Sequence, residues 1–96
     1  MSDVILKRNA NGQVSVNVTH QRVLHSPTGF EWGYGGSGPA DLALNILLQF
    51  TDPMTAELLH QAFKWEFIAT MPHEGGTISG VDIRSWITKA KNEAGL

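Results

Sequence analysis

The stretch Val4-Ile5-Leu6-Lys7-Arg8-Asn9-Ala10-Asn11-Gly12-Gln13-Val14-Ser15-Val16-Asn17-Val18 decides the fold class. Val4 and Leu6, then Val14, Val16 and Val18, alternate with polar residues, which is the period of a half-buried strand. Between the runs, Asn11-Gly12 supplies the positive φ that a hairpin turn requires. The pattern predicts strands over about residues 3–9 and 13–21, the second running on towards Leu24 before Ser26-Pro27-Thr28-Gly29 stops it. Most of the chain beyond Pro39 has helical spacing. The expected fold is therefore α+β, an N-terminal antiparallel β-hairpin or small sheet packed against about three helices. A chain of 96 residues forms a single domain, 1–96.

Outward from the hairpin, Phe30-Glu31-Trp32-Gly33-Tyr34 spaces its rings two residues apart. If this piece is extended, all three rings share one face. Pro39 fits a first helical position, with Ser37 or Gly38 as N-cap and Asp41 in the first turn. The predicted helix, about residues 39–50, carries Leu42, Ile46 and Phe50 on one side and Leu44, Leu47 and Leu48 around much of the rest. A helix apolar nearly all round is a central core helix or part of an oligomer interface, and the second reading predicts a homodimer. Asp52 and Pro53 open another helix, in which Leu59, Phe63 and Phe67 recur to about residue 70. Residues 72–76 read as a loop and Thr77-Ile78 as a short strand. Ser79 and Asp82 have capping spacing, Ile83, Trp86, Ile87 and Ala90 mark a last helix, and Gly95 is its C-cap.

The composition narrows the function. The chain has no cysteine, which excludes disulfides, cysteine-based zinc sites and thiol catalysis. That absence, with no basic or apolar leader in Met1-Ser2-Asp3-Val4, leads to the expectation of a cytoplasmic protein. No apolar run approaches the roughly 20 residues that span a bilayer. The net charge of −2 argues against a duplex nucleic acid partner. Lys89 and Lys91 form a short basic cluster, which reads as favourable placement at a helix C-terminus. His20, His25, His60 and His73 show no ligand spacing, so no metal and no cofactor is expected. Glu31, Glu66 and Glu74 supply carboxylates without any pairing visible in the sequence, so acid–base catalysis has no support.

One segment points to chemistry. Gly33, Gly35, Gly36 and Gly38 precede a helix start, where free N–H groups and the positive end of the dipole suit an anion. The run matches G-x-G-x-x-G, but no βαβ unit surrounds it, and no Lys-Ser/Thr comes after it as in a P-loop. The candidate ligand-binding set is Gly35, Gly36, Ser37 and Gly38 for the anion and Trp32 and Tyr34 for a flat ring. Arg22 and His25 stand on the incoming segment, from which they could reach a phosphate. The ordinary alternative is a glycine-rich turn with core aromatics.

The run from His25 to Leu47, with its Gly29-Phe-Glu-Trp-Gly-Tyr-Gly-Gly-Ser-Gly-Pro-Ala-Asp-Leu-Ala-Leu-Asn-Ile-Leu core, resembles a small family of uncharacterised bacterial and phage proteins. The resemblance extends through His60-Gln61-Ala62-Phe63-Lys64 to the Ile83–Trp86 helix. It marks a domain of unknown function and carries no activity to transfer. The setting it implies is one in which small phage proteins block host defence, some by sequestering cyclic nucleotides. The expected function is thus non-catalytic binding of a nucleotide-like or other phosphate-bearing small molecule. The alternative is a protein-interaction module that occludes a host protein. A small hydrolase or nuclease is a third reading without a constellation to support it.

Overall fold

The computed structural model describes residues 3–25 and 29–96. The order is β1 (Val4–Arg8), β2 (Val14–Val16), α1 (Ser37–Leu48), α2 (Pro53–Phe63), a π-helical turn (Lys64–Ile68), β3 (Gly75–Ile78) and α3 (Gly80–Ala94). The fold is α+β. Its sheet is antiparallel throughout, in the order β2-β1-β3.

The hairpin closes where Asn11-Gly12 places it. Gly12 N–H donates to the Asn9 carbonyl at 2.9 Å, and Asn9 N–H donates to that of Gln13 at 2.7 Å. Leu6 pairs with Val16 and Arg8 with Val14. β2 is much shorter than its valine pattern predicts. The Asn17 side chain ends it by taking over the ladder, accepting from Ile5 N–H at 2.8 Å and donating to the Asp3 carbonyl at 2.9 Å. The chain then leaves the sheet. Residues 21–25 run as a strap across the helices, and the predicted stop at Ser26-Pro27-Thr28 lies outside the described residues.

The loop predicted over 72–76 is half strand. Gly75 and Gly76 join Thr77 and Ile78 in β3, which pairs with β1 from Val4–Ile78 to Lys7–Gly75. Val4 and Leu6 bury one face of β1, and Ile78 lies opposite Val4. Arg8 comes next on that inner face, at the open end of the sheet.

α1 is the central core helix. Every residue from Gly38 to Leu47 is buried within its own chain. The apolar excess that predicted a dimer interface is covered internally, so that reason for self-association falls away. The helix also starts two residues early. Gly36 is the N-cap and Ser37 the first helical residue, so Pro39 sits third, where its missing N–H still removes no intrahelical bond. Asp41 therefore lies beyond the first turn. It is buried, and its Oδ1 accepts from the N–H groups of Leu24 at 3.2 Å and His25 at 2.8 Å.

The other two helices start as their caps imply. Asp52 accepts from Thr55 N–H and Ser79 from Asp82 N–H, each at 3.0 Å, and Gly95 ends α3 in the left-handed conformation. Phe63, Phe67 and Trp86 meet as an aromatic group, with Trp86 edge-on to Phe63 at 5.2 Å. Truncating a buried Trp costs ~3–5 kcal/mol, and Trp86 keeps part of its surface exposed. Trp86→Ala is thus expected to destabilise the fold by about 2–3 kcal/mol in urea unfolding. An unchanged midpoint would show that these ring contacts contribute nothing.

Candidate functional site

The segment between the strap and α1 is not a strand, and its three rings do not share a face. Phe30 stacks on His20 with centroids 4.2 Å apart. Trp32 is only 2 % exposed and spends its indole N–H on the His73 carbonyl at 3.0 Å. Tyr34 is 52 % exposed. The bend comes at Gly33, whose N–H donates to the Ile68 carbonyl at 2.9 Å.

Arg8 fixes the start of this segment. Its guanidinium forks onto Glu31, with Nη2–Oε1 at 2.6 Å and Nη1–Oε2 at 3.0 Å, and its Nε donates to the His73 carbonyl at 2.9 Å. It also covers the Trp32 ring at 4.8 Å. The bidentate bond from Arg8 holds the Glu31 carboxyl below its usual pKa, against the opposing effect of burial. The stability this lends is complete above the ordinary carboxylate pKa and is lost as pH falls through the lowered value. Arg8, Glu31, Trp32, Gly33, Tyr34, Met71 and His73 line an open groove of about 400 Å³.

Beyond Tyr34 the glycines take on a different role. Gly35 and Gly36 do not have positive φ, so the backbone conformation does not demand them. Space does. A Cβ on Gly35 would fall into the Trp65 ring, and one on Gly36 into the Tyr34 ring. At Gly38 it would crowd the Glu31 Cβ at 2.9 Å. The close approach expected of a ligand is made here by two aromatic rings of the chain itself, and both stay half exposed, Trp65 at 59 %.

The π-helical turn brings in a residue that spacing alone did not single out. Lys64 continues the buried face of α2 and is 6 % exposed. Its ammonium donates to the Gly35 carbonyl at 2.9 Å and lies 4.5 Å from the Trp65 ring centroid. Among the described residues it forms no ion pair. It therefore stands beside the positive end of α1, whose first turn holds no acidic residue. π turns of this kind occur often at functional sites. The Ala69 N–H to Lys64 carbonyl bond, 2.8 Å, marks this one.

Residues 2–89 match the model described as a family of unknown function, DUF6166. The chain belongs to this family. No curated protein and no solved structure matched the chain. Membership accounts for the resemblance of the glycine-rich run and assigns no role to any residue in it.

Two of the predicted residues lie apart from this cluster. Arg22 pairs with Glu57 of α2 at 3.1 Å, and His25 meets His60. Their backbone partners, Asn45 and Asp41, are eight and four residues into α1 from Ser37, about 12 and 6 Å along its axis. The structure thus gathers Tyr34, Gly35, Gly36 and Ser37 with Lys64 and Trp65. Trp32 lies in the wall of the groove that Tyr34 also lines, and Arg22 and His25 belong to the strap.

Proposed function

We propose that this family member is a non-catalytic binding domain for a small molecule that joins a flat ring to an anionic group, a nucleotide being the natural case. One observation carries the reading: the buried Lys64, whose ammonium has no carboxylate partner among the described residues, stands at the N-terminal end of α1 beside the half-exposed Trp65 ring, with the half-exposed Tyr34 ring over the neighbouring Gly36. Burying a charge is costly unless it is paired, and an anion at this position would pair it while meeting the helix dipole. The rings of Tyr34 and Trp65 offer stacking surfaces beside it. Gly35 and Gly36 seat those rings, and Ser37 adds a hydroxyl. Such a role suits a cytoplasmic protein, including a phage protein that sequesters a nucleotide signal.

A second reading, a protein-interaction module, draws on Met54, Leu58 and Trp65, which are exposed along the outer side of α2 and the π turn. Aromatic and methionine side chains of this kind anchor protein interfaces.

Titration calorimetry against mononucleotides, dinucleotides and cyclic nucleotides separates the two. The small-ligand reading expects binding tighter than about millimolar. Loss of a hydrogen bond to a charged group is worth about 1.5–3 kcal/mol, so Lys64→Met should weaken it roughly 10- to 100-fold. Trp65→Ala should cost ~1–3 kcal/mol of binding, and Ser37→Ala on the order of 1 kcal/mol. If folded wild-type protein binds no nucleotide in this range, the protein-interaction reading replaces it.

A further inference from the structure

Away from the candidate site, two imidazoles face each other. His25 Nε2 and His60 Nε2 are 2.8 Å apart, and their rings stack with centroids at 5.1 Å. The tautomers are set by the next bond. His60 Nδ1 lies 2.6 Å from the Glu57 carbonyl, which can only accept, so Nδ1 carries the proton. Neutral His60 therefore offers Nε2 as a lone pair, and His25 must donate its Nε2–H. Protonation of His25 at Nδ1 leaves this bond in place as a charge-assisted one. A second proton must go to His60 Nε2, and two N–H groups cannot face each other at this distance.

The bond fastens the strap to α2. Among the described residues, the other fasteners are the Arg22–Glu57 pair and the side chains of α1: Asn45 accepts from Gln21 and Arg22 N–H and donates to the Arg22 carbonyl, and Asp41 accepts from Leu24 and His25 N–H. Among the described residues, the charged and titratable groups around the pair are thus Arg22 on the strap, Glu57 on α2 and Asp41 on α1, with Lys64 one turn beyond His60. We propose that His25 and His60 form a proton-gated latch that holds the strap on the helices while either imidazole is neutral and releases it when both are charged. Burial disfavours the charged form of His60 and lowers its pKa, and a charged His25 acts in the same direction. The latch is therefore fully stabilising above the ordinary histidine pKa, and that stability is lost as pH falls from there through the lowered value.

Amide hydrogen exchange on the intact chain, expressed as protection factors between about pH 7 and 5, tests this directly. Gln21 and Arg22 are the reporters, because Asn45, their acceptor, does not titrate. Their protection should fall about tenfold or more across this range in wild type and stay level in His25→Gln, which cannot bring a second charge. Unchanged protection in wild type, or an equal fall in both proteins, overturns the latch. Nitrogen chemical shifts of the two rings in wild type give a reading free of any variant. Two separated titration steps, the lower assigned to His60, are expected for a coupled pair. Coincident titration of both rings near the ordinary value would refute the coupling.

Discussion

Asn45→Ala is expected to destabilise the domain by about 3 kcal/mol. Asn45 is fully buried in α1, and all of its hydrogen-bonding groups are engaged. Its Oδ1 accepts from Gln21 N–H at 2.6 Å and Arg22 N–H at 2.9 Å, and its Nδ2 donates to the Arg22 and Asp41 carbonyls at 2.8 Å each. Three of these bonds tie the strap to the helix. Each contributes about 0.5–1.5 kcal/mol net, and a partner left buried and unpaired costs a further ~1–3 kcal/mol. Alanine recovers up to about 0.5 kcal/mol through better helix propensity, too little to compensate. Asn45→Asp would keep both acceptor bonds but aim a buried charge at two carbonyls, and should be worse. Urea unfolding measures the loss, and a value under about 1 kcal/mol would show that the strap contributes little to stability.

Asn45 also marks where sequence reading stopped. In the sequence it is a polar interruption of an apolar run, and nothing local says that the segment about 20 residues earlier needs its amide. Asp41 misled in the same way: it sits near a helix start, yet its carboxylate serves the strap. By contrast, the hairpin, the Asp52 and Ser79 caps and the Gly95 C-cap were legible. Each rests on residues within a few positions of one another, where steric and hydrogen-bonding preferences act directly. β3 was half legible because Gly75-Gly76 reads as a loop until β1 is laid beside it.

The glycine-rich run shows the same limit at the candidate site. Its place at a helix start was readable. The reason for Gly35 and Gly36 was not, because Trp65, which occupies the space above Gly35, comes 30 residues later. Lys64 escaped notice because a lysine on a helix ordinarily reaches water. One signal was available. Lys64 succeeds Ala56 and His60 at four-residue intervals on the face that buries both, so the helical wheel already turns it inward.

The second large effect is expected at Gly75. Gly75→Ala should cost about 3 kcal/mol or more, and Gly12→Ala, with a similar φ, only about 1 kcal/mol. Gly75 has φ +101 and Gly12 φ +86, so both substitutions strain the backbone. They differ in surroundings. A Cβ on Gly12 meets nothing within 4 Å, whereas on Gly75 it would collide with the Leu6 carbonyl. Neither atom can yield without parting β1 from β3, because Gly75 pairs with Lys7 at the end of the ladder. The damage would spread to the groove. Arg8 N–H donates to the Glu74 carbonyl at 3.2 Å, and Arg8 Nε and the Trp32 indole both donate to the His73 carbonyl. Moving residues 73–75 would therefore loosen the Arg8–Glu31 fork as well as the strand. Urea unfolding of the two variants isolates the collision from the strain, and Trp32 indole exchange reports the groove. Equal losses at Gly12 and Gly75 would mean that the sheet relaxes around a Cβ, and that β3 is not held against β1 as tightly as this packing requires.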